Sequence, residues 1–213
     1  MAQVLLVCTG NICRSPMAEA LLRSALQRRL DDAAPAVASA GTIARDGAPA
    51  MPEAVEAAAE LGVDVSSHSA RRLRPEDIRD ADLIVGMATE HLEEIQALVP
   101  DAECRTFTLK ELVRLLEDTG PRPVDATGSD RGLAGAVSDA HRRRTGSPAI
   151  PDEDDVMDPL GLSLHGYRVV ASELEDLCFR FLEPEAHDAL VAGLESRRQL
   201  SNEFIQEIQQ ELT

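Results

Sequence analysis

Cys8-Thr9-Gly10-Asn11-Ile12-Cys13-Arg14-Ser15 sets a sulfur nucleophile and a guanidinium six positions apart in a chain of 213 residues. That combination suits attack on a tetrahedral oxyanion. The residues between them can wrap their N–H groups around such an anion, and Gly10 and Asn11 tolerate the positive φ angles that a nest of amides requires. Arg14 supplies a planar fork able to hold two anion oxygens. A helix N-terminus beside an arginine favours the thiolate form of Cys8, and Ser15 can donate a hydrogen bond to that thiolate and ease its later departure. The candidate phosphate-binding set is therefore Thr9, Gly10, Asn11, Ile12, Cys13, Arg14 and Ser15, with Cys8 as nucleophile. A bare Cys-x5-Arg spacing also describes a buried strand-end cysteine followed by a surface arginine. The preceding apolar strand, the nest residues, Ser15 and a proline at the first helical position, Pro16, together point to the chemistry.

Phosphoryl transfer also needs an acid for the departing atom. Asp155-Val156-Met157-Asp158-Pro159 precedes the last regular helix of the main domain, and a carboxyl group on a proline-stiffened turn can be held at a fixed distance from the cradle. Asp158 is the first choice for this acid and Asp155 the reserve.

These residues must be positioned by the elements around them. Gln3 to Val7 reads as a short strand, and Pro16 to Leu30 follows with helical spacing at Met17, Leu21, Leu22, Ala25 and Leu26. The cradle thus lies between a strand end and a helix start, where open α/β sheets bind anions. Ala36 to Ala40 is a second strand, and Pro52 to Leu61 a helix stopped by Gly62. Asp82 to Met87 is continuously apolar from Leu83, as expected of a buried parallel strand. Thr89 to Leu98 is the helix after it, with Thr89 as N-cap. Arg105 to Leu109 is a weaker fourth strand, and Lys110 to Glu117 begins another helix. Alternating strands and helices imply an α/β fold whose parallel sheet is covered on both faces.

Residues 118 to 155 turn to Gly, Pro, Ser, Asp and Arg without apolar periodicity, which reads as a long loop or partly helical insertion. Leu164 to Leu182 is helical. Pro184 starts a final helix to about Leu212, whose apolar stripe suits packing on the domain or on a second copy in a homodimer. The expected organisation is a main domain over 1–182, with an insertion at about 118–151, and a C-terminal helical extension over 183–213.

Composition sets further bounds. The formal charge is −17, which repels nucleic acid and anionic membrane surfaces, so neither is an expected partner. An anionic substrate must be drawn in by a local positive site. The N-terminal apolar run is too short for a signal peptide, no stretch is long enough to span a membrane, and four cysteines in this length are too sparse for a secreted disulfide scaffold. A cytoplasmic protein is expected.

With these residues in view, the chain resembles the low-molecular-weight protein tyrosine phosphatase family. The resemblance is carried by Val7 to Glu19, Ser39-Ala40-Gly41-Thr42, His68-Ser69-Ala70-Arg71, Ala81-Asp82-Leu83-Ile84 with Met87, and Asp158-Pro159. It covers about residues 1–117 and 152–182. It implies a three-layer, doubly wound α/β fold with four parallel strands and a hydrolase of phosphorylated protein side chains that works through a phosphocysteine intermediate, without metal or cofactor. By position, Cys8 would be the nucleophile, Arg14 the oxygen ligand, and Asp158 the acid that then activates water. Asn11 would shape the loop, supported by Ser39 and His68. Cys13 resembles a second cysteine that can form a reversible disulfide with the nucleophile.

Where this family often carries aromatic residues to stack on phosphotyrosine, this chain has Leu160 and Ile43-Ala44-Arg45. Thr106 to Glu111 and Asp158 to Gly161 with Tyr167 are also similar to the protein arginine phosphatase branch, although Ile12 matches the tyrosine branch. Phosphotyrosine is the expected substrate class, with phosphoarginine the alternative. Two further readings share the cradle: an arsenate reductase, which would recruit Cys104 or Cys178 although both suit packing, and a non-catalytic phosphoprotein-binding module. Arg142-Arg143-Arg144 reads as a solvated basic run or a recruiting patch for an acidic partner.

Overall fold

The fold was described from a computed structural model, which covers residues 3–117, 131–144, 150 and 153–182. The expected strands form, and alternation along the first of them organises the molecule. Strand β1 (Gln3–Cys8) sends Val4, Leu6 and Cys8 into one apolar cluster, and Leu5 and Val7 into another on the opposite face. The sheet is completed by β2 (Ala36–Gly41), β3 (Leu83–Gly86) and β4 (Thr106–Thr108), in the order β2-β1-β3-β4 and parallel throughout. All four residues of β3 are buried, as its unbroken apolar run predicts.

One face is covered by α1 (Arg14–Leu30), α2 (Pro52–Glu60), α5 (Leu109–Glu117) and α7 (Leu164–Leu182), whose Met17, Ala54, Leu112 and Val170 share the larger cluster. The other face is covered by α3 (Pro75–Asp80) and α4 (Thr89–Leu98), through Ile78 and Ile95. The three-layer, doubly wound arrangement expected from the sequence is what the chain adopts. Because the strand order reverses direction beside β1, a crevice opens at the carboxyl ends of β1 and β3.

Several local expectations need correction. Helix α3 carries one buried apolar residue, Ile78, too little periodicity to be seen in sequence. Thr89 does not cap α4. Ala88 occupies that position, and its N–H is taken by His91 Nδ1 at 2.9 Å. The insertion is partly helical, as the sequence allowed, through α6 (Arg131–Arg144), but the last residue of that helix is no solvated cation. Arg144 makes an ion pair at 2.8 Å with Glu111, which is fully buried, and lies 4.0 Å from the centre of the Phe107 ring. A carboxylate removed from water in this way requires such a partner. The proposed C-terminal helix and its dimer contact fall in 183–213, outside the described residues.

Candidate active site

The cradle begins where β1 ends and closes where α1 begins. Its shape follows from where its carbonyls go. The oxygen of Cys8 accepts the Thr42 N–H at 3.0 Å, that of Thr9 the Ile43 N–H at 3.0 Å, and that of Ile12 the Met51 N–H at 2.9 Å. The Asn11 oxygen receives His68 Nε2 at 2.8 Å, so this nitrogen carries the ring proton. With these carbonyls drawn outward, the intervening amides turn inward, and the Asn11 N–H points to Cys8 Sγ at 3.2 Å.

Asn11 adopts φ 54°, in the left-handed region that its short polar side chain makes accessible. Its fully buried side chain is satisfied on every atom: Nδ2 donates to Ser15 Oγ at 2.9 Å and Ser39 Oγ at 2.8 Å, and Oδ1 accepts the Arg71 N–H at 2.9 Å. Ser15 Oγ, already accepting from Asn11, sits 3.0 Å from Cys8 Sγ and keeps its hydrogen for the sulfur. Gly41 completes the outer wall. A Cβ there would lie 2.7 Å from the Thr9 oxygen and 2.9 Å from the Asn11 nitrogen, so only glycine lets β2 approach this closely.

Arg14 is 3% exposed and reaches back across the cradle. Its Nη1 donates to the Val156 oxygen at 3.1 Å, and its Nη2 to Thr9 Oγ1 at 3.1 Å and to Asp158 Oδ2 at 2.7 Å. Its Nε is buried and has no protein partner. A buried guanidinium donor left unpaired is costly, and an anion oxygen is the group that would satisfy it.

The acid-bearing segment is anchored on both sides. The Val156 N–H donates to the Met87 oxygen at 2.7 Å, and Asp154 pairs with Arg114 at 2.8 Å. Asp158 Oδ1 accepts the Leu160 N–H at 3.0 Å across the Pro159 turn, which leaves Oδ2 for Arg14. Asp155, the reserve choice, lines the same groove but has no contact with Arg14: its Oδ1 accepts the N–H and hydroxyl of Thr89 at 2.7 and 2.8 Å, and so caps the positive end of α4. The structure therefore brings Asp158, and not Asp155, to Arg14. A groove of about 740 Å³ opens over Arg14 and Asp158, with Glu90, Lys110, Met157 and Val169 further along it.

Cys13 is a free thiol whose Sγ lies 3.6 Å from the Tyr167 hydroxyl. Burial pushes it up to about 11, only partly offset by the Tyr167 hydrogen bond. Cys178 is buried in α7, as expected, and burial raises it to about 12. Cys104, expected to pack, is instead exposed on a 3-10 turn (Pro100–Arg105). Among the described residues, no His, Cys, Asp and Glu cluster is arranged to hold a metal ion, and no helix is long and apolar enough to cross a membrane.

The sequence reading missed the Arg71 amide, the Val156 carbonyl and His91. His91 is 1% exposed and lies 3.0 Å from Thr9 Oγ1. The rule that ligands bind at the carboxyl ends of strands flanking a reversal of strand order is the signal that leads there, because α4 starts where β3 ends.

Fold and site together match a class of phosphatases that work through a cysteine. The model of the low molecular weight phosphotyrosine protein phosphatase family matches residues 3–120, and the chain belongs to that family. It is 46% identical over 109 residues to the probable low molecular weight protein-tyrosine-phosphatase EpsP of Ralstonia solanacearum, covering 51% of this chain and 71% of that protein. It is 33% identical over 174 residues to the protein-arginine-phosphatase of Bacillus subtilis, covering 82% of this chain and 90% of that one. The crystal structure of the low molecular weight protein tyrosine phosphatase from T. tengcongensis matches with TM-score 0.63 and 33% identity, over 86% of this chain and 99% of that one.

Proposed function

We propose that this protein is a cytoplasmic, cysteine-dependent phosphatase that removes phosphate from tyrosine side chains of proteins through a phosphocysteine intermediate. The observation that carries the reading is the unpartnered Arg14 Nε inside a ring of outward-drawn carbonyls, since one tetrahedral oxyanion would satisfy both features.

In this reading Cys8 Sγ forms a bond to phosphorus as the bond from phosphorus to the tyrosyl oxygen breaks, and that oxygen takes the proton of the Asp158 carboxyl. Arg14 and the cradle amides hold the three remaining oxygens as charge redistributes among them. The phosphoryl group takes over Arg14 Nη2 from Asp158, which places the carboxyl beside the departing atom. The Asp158 carboxylate then accepts a proton from water as the water oxygen bonds to phosphorus. The sulfur–phosphorus bond breaks, returning a thiolate that Ser15 stabilises. Phosphate leaves and Asp158 keeps the proton for the next cycle.

The proposed domain runs over 1–182, supported by the packing of α7 on α1 and α2, and 183–213 forms an extension. The cytoplasmic location is supported by four unpaired cysteines.

Phosphoarginine is the second reading. The Bacillus arginine phosphatase matches most of the chain, including the segment that carries Asp158, whereas the Ralstonia match covers 51%. Parallel assays of the purified protein on phosphotyrosine and phosphoarginine peptides decide between them. A kcat/KM at least as high on phosphotyrosine is expected, and a value about tenfold higher on phosphoarginine, equivalent to ~1.4 kcal/mol in transition-state binding, would reverse the assignment.

A further inference from the structure

We propose that His91 is a positioning residue of the phosphate cradle: by donating through Nε2–H to the Thr9 hydroxyl, it fixes the oxygen against which the Arg14 guanidinium rests. The inference rests on the phosphatase reading above and extends it to a residue in another element.

The tautomer follows from the hydrogen bonds. His91 Nδ1 accepts the Ala88 N–H at 2.9 Å, so the proton of a neutral ring is on Nε2, which lies 3.0 Å from Thr9 Oγ1. The same oxygen receives Arg14 Nη2 at 3.1 Å. Both acceptor positions of the hydroxyl are then filled, and its hydrogen turns to Glu90 Oε1 at 3.3 Å. A threonine hydroxyl is ordinarily a free rotor. Here its direction is dictated from behind by an imidazole that is 1% exposed.

The consequence lies in what remains when substrate binds. Arg14 Nη2 exchanges Asp158 for a phosphoryl oxygen, and the Val156 carbonyl and Thr9 hydroxyl are the protein contacts that still set the guanidinium plane. His91 stands behind one of them. Its ring is held close to the strand end because Gly86 has no side chain: a Cβ there would meet His91 Cβ at 3.2 Å and Leu92 Cδ1 at 2.6 Å. Burial and the nearby Arg14 charge pull His91 down to about 4, while Glu90 and Asp155 act in the opposite sense. The ring therefore stays neutral at physiological pH, and its 3.5 Å approach to Glu90 is not an ion pair.

Asparagine and glutamine separate the two functions of the ring. In His91→Asn the side-chain oxygen takes the place of Nδ1 and keeps the Ala88 contact, but nothing reaches Thr9. In His91→Gln the amide nitrogen takes the place of Nε2. Competitive inhibition by inorganic phosphate and turnover of p-nitrophenyl phosphate are measured on the full chain, alongside Tm. His91→Asn should weaken phosphate inhibition and lower kcat/KM by about tenfold each, the scale of one hydrogen bond, with His91→Gln within about threefold of the native enzyme. Thr9→Val should reproduce the tenfold loss, and His91→Asn added to Thr9→Val should cost nothing more.

A His91→Asn enzyme that binds phosphate like the native one overturns the proposal, as does a double variant whose losses multiply. If His91→Asn fails to fold, Thr9→Val decides: undiminished phosphate inhibition in that variant overturns the proposal, and a tenfold loss upholds the Thr9 contact it rests on. A native enzyme inert toward both phosphate and p-nitrophenyl phosphate would instead remove the phosphatase reading itself.

Discussion

The floor of the site and its rim are built on opposite principles. On the floor, Asn11, Ser15 and Ser39 are buried polar groups with their hydrogen bonds made inside the protein. On the rim, Ile43 is 69% exposed, Leu160 57% and Met157 48%, each a large apolar side chain turned to water. Yet both rim loops are tied by their backbones to the candidate site, Ile43 through its N–H to the Thr9 oxygen and Leu160 through its N–H to Asp158. The difference teaches a division of labour. A pre-organised floor sets the reaction, because charge developing on phosphoryl oxygens must meet donors already in place. An aliphatic rim offers area without the flat faces that select one ring. Changes to the floor should therefore affect every substrate alike, and changes to the rim should affect substrates unequally.

The hardest test of that division is Cys8→Ser. It should remove turnover of every phosphorylated substrate by ~10³-fold or more, since a serine hydroxyl is a far weaker nucleophile than a thiolate, while inorganic phosphate still binds in equilibrium dialysis. Turnover near the native rate would end the covalent mechanism. Asp158→Asn should come next, lowering kcat by roughly 10²–10⁴-fold on substrates with poor leaving groups, and much less on p-nitrophenyl phosphate, whose leaving group needs little protonation. Equal losses on both would mean that Asp158 orients Arg14 and does not transfer a proton.

Acid sensitivity sharpens the comparison from the stability side. His91 is lowered from 6.5 to about 4 in the folded protein. The unfolded chain binds the extra proton first, so the stability this histidine contributes is complete above pH 6.5 and is lost as pH falls through about 4. The loss is on the order of 3 kcal/mol. Urea midpoints measured from pH 7 to 4 should fall accordingly, and the slope should flatten in His91→Gln. The smallest expected effect is at the rim: Leu160→Tyr should lower KM for phosphotyrosine peptides by a few-fold, consistent with ~0.5–1.5 kcal/mol for an aromatic pair, and leave kcat and phosphoarginine KM nearly unchanged. A matching gain on both substrates would show that the rim does not discriminate.

Legibility followed the range of the interactions. Strands β1 to β4, the helices after them and the Cys8-to-Arg14 cradle were readable, because a buried parallel strand, a nest and a helix start each impose their pattern on consecutive residues. Gly10 and Asn11 were both marked by their tolerance of a left-handed backbone; Asn11 adopts one, whereas Gly10 does not. Helix α3 was hidden by its single buried apolar residue. The Arg144 contact with Glu111 was also hidden, since nothing local tells a solvated basic run from one that reaches into a core.

Residue order alone thus settled the chemistry on offer: a sulfur, a guanidinium and amides that any strand-to-helix turn of this composition would gather. The choice of Asp158 over Asp155, the outward pull on the cradle carbonyls from Thr42, Ile43, Met51 and His68, and the place of His91 behind Thr9 were decided by tertiary structure. Short-range backbone preferences act on neighbours, whereas which of two carboxylates meets an arginine more than a hundred residues away depends on how helices and sheet pack. That packing is a property of the whole chain and leaves no mark at any single position.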